Sequence, residues 1–245
     1  MLPYLPDLEE TKAILNMPID WSQYSLHELR AHSVHTFRQG GGSRPDVLLI
    51  DIDGQRAVLK DHGSTDKPFA TLLGPILNWR ECKALSKLDT LECVPNLLHA
   101  PDRRSFLMTY HKSEQITRLE NIQPNWPDFF EELSLAINRM HQAGVSHNDL
   151  RNASNILITS DGKPILVDLV GCFCQGSSWN LPKQWVFDKF RQVDLSAITK
   201  LKTQVAPELI TEQDVVREEI AGNAGMVAKG VGQWVRKASR LFFTK

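Results

Sequence analysis

GVSHNDLRNASNILITSDGKPILVDL, residues 144–169, alternates short apolar runs with isolated polar residues. The runs GVSH, NILIT and PILVDL have the length and branched side chains of strands, and SDGK between the last two is a turn. His147, Asp149, Asn155 and Asp168 therefore fall on strand ends and connecting loops, near one edge of a small sheet. Loops on a rigid scaffold are where reactive groups are commonly displayed.

Working outward, residues 34–60 read as three antiparallel strands. VLLIDI and RAVLK flank Asp53-Gly54, a two-residue hairpin signal, and Gly40, Gly41 and Gly42 form the loop before them. Apolar spacing predicts a helix from about Leu72 to Leu88, with Pro75 tolerated in its first turn. SFLMTY at 105–110 reads as a buried strand, followed by about 15 polar residues expected to be strandless. Pro127 and Asp128 then open a helix whose apolar face is Phe130, Leu133, Ile137 and Met140, and Gly144 stops it.

The expected fold class is α+β with two lobes: a small antiparallel β lobe carrying one helix, and a mainly helical lobe. The expected divisions are an N-terminal extension over 1–33, lobes over 34–110 and 111–219, and a basic amphipathic helix over 220–245. A cleft between two such lobes is the natural place for a ligand.

Asp149, Asn155 and Asp168 supply hard oxygen donors, suited to Mg²⁺ rather than zinc. RAVLK ends a strand on Lys60, whose ammonium can enter the cleft as a point charge. His147-Asn148-Asp149, with Asn155 and then Val167-Asp168-Leu169, resembles the catalytic loop and metal motif of the protein-kinase-like superfamily. AVLK at 57–60 is similar to that superfamily's strand lysine, Glu81 in NWRECKAL to its helix partner, and LMTY to its hinge. The order and spacing cover residues 34–200.

The resemblance implies phosphoryl transfer from ATP to a hydroxyl, with Mg²⁺ as cofactor. It assigns proton acceptance to Asp149, metal binding to Asn155 and Asp168, and phosphate neutralisation to Lys60, positioned by Glu81. Met108 and Tyr110 would meet the nucleotide, and the amides of Gly40–Gly42 would cradle its phosphates. His147 reads as a packed part of the loop.

Four departures narrow the resemblance. Six steps separate Asp149 from Asn155 where the usual loop has five. Asn148 stands where an arginine normally precedes the aspartate. Leu169-Val170 replaces Phe-Gly. Only 25 residues separate Asp168 from Asp194 in FRQVDLSAITKLK, which resembles the helix following the activation segment. The short segment is similar to bacterial RIO-like and lipopolysaccharide-core kinases, so the implied acceptor is a protein Ser/Thr hydroxyl or a core sugar. A catalytically silent nucleotide-binding or scaffold module is the alternative. A small-molecule kinase of the aminoglycoside type would share the loop chemistry.

Bulk composition agrees with a globular chain. It has 245 residues, 42% hydrophobic and 23% charged, and a net charge of −1. Beyond Glu219 there are five basic residues and no acid, against 23 basic and 29 acidic before it. Val227, Val231, Trp234, Ala238 and Leu241 would form one helical stripe opposite Lys229, Arg236, Lys237 and Arg240. Such a helix either packs on the second lobe or lies on an anionic membrane surface. No nucleic-acid partner is expected. With no signal-like N-terminus, no spanning segment and no C-x-x-C pair among Cys82, Cys93, Cys172 and Cys174, the expectation is a cytoplasmic protein with reduced thiols.

Overall fold

The computed structural model describes residues 18–176 and 181–219. Its first lobe is a five-stranded antiparallel sheet in the order β1-β2-β3-β5-β4. The strands are β1 (Ser33–Arg38), β2 (Asp46–Ile52), β3 (Gln55–Asp61), β4 (Leu97–His99) and β5 (Ser105–Thr109). Asp53 and Gly54 take φ of 50° and 80°, the left-handed pair that a two-residue turn between twisted strands requires.

Because side chains alternate across a strand, the registers decide which residues face the cleft. Lys60 pairs with Val47 and Phe106, and Val58 pairs with Leu49 and Met108, so these residues share one face. The opposite face carries Leu48, Ile50, Ile52, Ala57, Leu59 and Leu107, covered by Trp21 and Leu29. Leu29 lies on α1 (Leu26–Ala31), whose first turn is closed by a reciprocal Ser25–Glu28 capping box. Trp21 and Leu29, in the stretch expected to be an extension, thus pack in the hydrophobic cluster on this face of the sheet.

A short helix, α2 (Lys67–Leu72), precedes α3 (Gly74–Lys87), which is the helix expected over 72–88. The break falls at Leu73-Gly74-Pro75, where proline fits only a first turn. α3 carries Glu81 inward at 2% exposure.

In the second lobe, α4 (Trp126–Gln142) buries Phe129, Phe130, Leu133, Ala136, Ile137 and Met140. Gly144, at φ 76°, turns the chain into β7 (Val145–Ser146). β8 (Ile156–Thr159) and β9 (Pro164–Leu166) follow, and β10 (Phe173–Cys174) returns to pair with β7. α5 (Leu181–Val205) packs Ala197, Ile198 and Leu201 into the same core as α4. The segment after Thr109, expected to be strandless, forms β6 (Ser113–Gln115), which pairs with β8. Its side chains are polar, and Glu114 accepts from the Glu120 and Asn121 amides at 2.8 and 3.2 Å. The tail beyond residue 219 lies outside the described residues, and among those described no helix is long and apolar enough to cross a membrane.

Leu133 and Leu135 sit on the same helix at 0% and 40% exposure. Leu133→Ala is expected to lower unfolding free energy by roughly 2–5 kcal/mol, whereas Leu135→Ala should shift it by only about 0.5 kcal/mol. Urea denaturation followed by circular dichroism checks both.

Candidate active site

The two lobes enclose a cavity of about 330 Å³. Its roof comes from Val47 and Val58 of the sheet, and its floor from Leu157 and Ile165 of β8 and β9. An apolar slot with a charged inner end suits a ligand that is planar at one end and anionic at the other.

The charged end is built around Lys60. Its Nζ donates to Glu81 Oε1 and Oε2 at 2.9 and 2.8 Å and to Asp168 Oδ1 at 2.7 Å. Burial alone would depress the Lys60 pKa, but the fields of Glu81 and Asp168 outweigh it and raise the value. Burial opposes the Asp168 carboxylate too, yet Lys60 and Arg38 hold its pKa below the ordinary range. The ammonium is thus held charged between two carboxyl groups, while burial raises the Glu81 pKa against the field of Lys60.

Asp168 itself is held in the left-handed region, φ 68° and ψ 64°, which a non-glycine residue occupies only under local constraint. Three links supply that constraint. His147 Nε2 bonds the Val167 carbonyl at 2.9 Å, the Val167 amide donates to the Asn155 carbonyl at 3.0 Å, and the Leu169 amide donates to Glu81. His147, buried at 0% exposure, therefore packs between the loop and the Asp168 turn.

The loop bearing Asp149 is anchored from below by Asp194 of α5, also 0% exposed. Asp194 Oδ2 accepts from the His147 amide at 2.7 Å and from His141 Nε2 at 2.9 Å, and Oδ1 accepts from the Asn148 amide at 2.7 Å. Two successive amides aimed at one carboxylate bend the chain, and Asn148 takes φ 66°. Asn155 then reaches back: its Nδ2 donates to the Asp149 carbonyl at 3.0 Å and to Asp149 Oδ2 at 2.9 Å. Asp149 remains exposed, but partial desolvation, helped by the negative field of Asp168, raises its pKa against the Asn155 hydrogen bond.

These bonds also orient the donors. With Nδ2 committed to Asp149, the Asn155 carbonyl oxygen is left as an acceptor, and it lines the same cavity as Asp168. Asp168 engages Lys60 through one oxygen only. No group of three or more His, Cys, Asp or Glu residues among those described could cage a metal. One carboxylate and one carboxamide oxygen beside the Lys60 ammonium form a sparse set of hard donors of the kind Mg²⁺ accepts when other ligands complete its shell, so the residues fit that ion.

Of the residues singled out in the sequence, Lys60, Glu81, Asp149, Asn155, Asp168, Met108 and Tyr110 come together around this cleft. Gly40, Gly41 and Gly42 do not. The Gly40 amide donates to Asp46 at 2.5 Å, the Gly41 amide pairs with the Arg44 carbonyl at 3.0 Å, and none of the three lines the cavity. The amides at 40 and 41 are already spent inside the loop, which removes the basis for a phosphate cradle there.

Sequence reading missed Arg38 and Phe37, which line the cavity from β1; the ring of Phe37 stacks with Tyr110 at 6.4 Å. An arginine just ahead of a glycine run was the available signal. It also missed His62, two residues beyond Lys60, which is buried with neither ring nitrogen hydrogen-bonded. Burial and then the Lys60 charge push its pKa down to about 4, so it is a neutral neighbour of the site. Asp194 was placed on its helix but given no role, since nothing local reveals that a helix aspartate will meet a loop 46 residues upstream.

The lobes and the groups between them define a protein-kinase-like fold. Among solved structures the chain is similar to the Rio2 kinase of Chaetomium thermophilum, with a TM-score of 0.55 and 16% identity, covering 84% of this chain and 77% of that one. It is also similar to the same kinase as an ADP/Mg²⁺-phosphoaspartate complex, with a TM-score of 0.51, 16% identity and coverage of 84% and 75%. No protein-family model matches the sequence, and neither does any curated protein.

Lys60→Ala leaves the Glu81 carboxylate buried and unpaired, and should cost roughly 3–5 kcal/mol at neutral pH. Burial already raises the Glu81 pKa above its unfolded value and losing the cation raises it further, so the loss should shrink as pH falls toward the carboxylate range. Urea unfolding at several pH values measures this. A Lys60→Met, Glu81→Leu double variant should lose less stability than Lys60→Ala.

Proposed function

We propose that this protein is an ATP-dependent phosphotransferase that moves the γ-phosphoryl group to a hydroxyl acceptor. The observation that carries the reading is Lys60, held by Glu81 and Asp168 at the inner end of a cavity whose outer part is apolar. The apolar slot accepts the base. Lys60, already oriented by Glu81, meets the phosphates as a fixed charge that need not reorganise during reaction.

Asn155 and Asp168 are the groups that would hold Mg²⁺, which when bound would offset charge on the phosphates and on the buried carboxylates. Asp149 accepts the proton of the acceptor hydroxyl and orients its oxygen toward the phosphorus. Its raised pKa strengthens it as a base, and the Asn155 bond fixes which carboxylate oxygen faces the acceptor. Phosphoryl transfer asks mainly for positioning and charge neutralisation, which these few groups supply.

The silent-module alternative draws on the longer loop before Asn155. Against it, Asn155 bonds Asp149 despite the extra residue, as the 3₁₀ turn at Ala153–Asn155 takes up the added length. On this reading the lobes divide near residue 110, with 18–33 joined to the first. The acceptor is a protein Ser/Thr hydroxyl or a lipopolysaccharide-core sugar, and the chain works on the cytoplasmic side, with its basic tail toward an anionic membrane surface.

Radiolabelled ATP with Mg²⁺, presented with protein and lipopolysaccharide fractions, should transfer label to one of them. Asp149→Asn should lower that transfer roughly 10²- to 10⁴-fold while leaving nucleotide binding nearly intact. Equal transfer by the variant would remove Asp149 as base. Tight nucleotide binding with no transfer to any acceptor would favour the silent module.

A further inference from the structure

Strand β1 carries an extra residue at the end that leads into the glycine run. Thr36 pairs with Leu48 but Arg38 pairs with Val47, so Phe37 and Arg38 together oppose one residue of β2. Such a bulge bends the strand and re-aims its side chains. In an unbroken ladder Phe37 would lie opposite Val47, and Arg38 opposite Asp46 on the face that Asp46 shares with Leu48 and Ile50. The extra residue returns Arg38 to the row of Val47, and Phe37 and Arg38 both line the cavity.

That row runs Arg38, Val47, Lys60 across β1, β2 and β3. Neighbouring strands lie about 4.8 Å apart, which sets the two cationic residues about 10 Å apart at Cα on one face of the sheet. They differ in what already holds them. Lys60 has three N–H groups and makes three carboxylate contacts, two to Glu81 and one to Asp168. Arg38 uses Nε, which donates to the Pro45 carbonyl at 3.3 Å. Pro45 ends a loop closed by the mutual backbone bonds of Gly41 and Arg44, so this bond fixes the plane of the guanidinium.

The outer nitrogens of that plane remain as donors. Among the described residues no carboxylate pairs with Arg38, whereas Arg30 is taken by Asp46 and Asp61, and Arg56 by Asp51. Asp168, which lines the same cavity, lies in the fields of Lys60 and then Arg38. The amides of Gly40 and Gly41 are committed within their loop. Free, oriented N–H groups at the charged end of the cavity are therefore those of Arg38.

We propose that Arg38 is the polyphosphate clamp of this cleft, its guanidinium closing over the phosphate chain of the nucleotide from the edge strand while Lys60 faces the chain from two strands away. A planar fork matches two phosphate oxygens at once, which a single ammonium cannot do. The same bulge serves the other end of the ligand: the Phe37 ring stacks on Tyr110 with centroids 6.4 Å apart and planes 24° apart, over the outer part of the slot. One added residue thus does the work that the glycine run does not. The assignment rests on the nucleotide-binding half of the proposed function and is independent of transfer.

Calorimetric titration of ATP and of adenosine, with Mg²⁺ present throughout, into the wild-type chain, Arg38→Met and Arg38→Lys tests this without any acceptor. Arg38→Met keeps an unbranched stem and should weaken ATP binding roughly 10- to 100-fold while adenosine stays within about twofold. Arg38→Lys, which restores the charge without the fork, should recover part of the loss. Equal ATP affinity in the wild type and Arg38→Met overturns the inference. So does a loss shared equally by ATP and adenosine, or one that Arg38→Lys does not relieve at all, since either marks a role in holding the loop rather than the phosphates. A wild-type chain that binds neither ligand removes the nucleotide reading and the inference with it. A chain that binds ATP through Arg38 and transfers nothing removes the phosphotransferase reading and leaves the clamp in place.

Discussion

One ammonium group shared by two carboxylates organises this molecule. Lys60 comes from the sheet, Glu81 from the helix beside it, and Asp168 from a turn in the other lobe 108 residues away. Burying three charges is unfavourable unless each is paired at close range, and the two acids exceed the one base. Glu81 also accepts from the amide of Leu169, so the same pair that orients the lysine pins the turn that presents Asp168. Sheet register, helix position and the left-handed turn must therefore all be correct for any one of these charges to be tolerated. On the proposed function, this excess of acids over bases is what would make the cleft receptive to a divalent cation and, through it, to polyphosphate.

The second lobe solves a different problem, that of holding an exposed carboxylate steady. Asp149 is exposed, so burial does not fix it. Its backbone is fixed instead, by Asp194 gathering two amides from beneath and by Asn155 gripping it from the side. The additional residue between Asp149 and Asn155 is absorbed where the chain turns, so the carboxamide still reaches its partner. Rigidity in this loop is thus supplied by two buried side chains, Asp194 and Asn155.

How much of this was legible in the sequence follows from the range of each interaction. The strand alternation through Val58 and Lys60, the Asp53-Gly54 turn and the apolar face of α4 are local patterns, and the structure has them where the sequence indicated. Lys60, Glu81, Asp149 and Asp168 could be singled out because their residue types and order resemble a known constellation. Arg38 and Asp194 could not, since their roles depend on tertiary approach rather than on neighbours. β6 was missed because backbone pairing leaves no side-chain signature. The glycine run misled for a related reason: three glycines permit a phosphate cradle, but Asp46 and Arg44 compete for their amides. The helix start at Gly74-Pro75 shows proline acting by its ordinary rule, in a first turn that begins two residues after Leu72.

Calorimetric titration of ATP into the wild-type chain and into Asp168→Asn, each with and without Mg²⁺, tests the central claim most directly. The account predicts that wild-type binding strengthens when Mg²⁺ is present, and that the substitution removes most of that gain, roughly tenfold or more in affinity. Wild-type binding that is indifferent to Mg²⁺, or a gain that survives intact in Asp168→Asn, would contradict it.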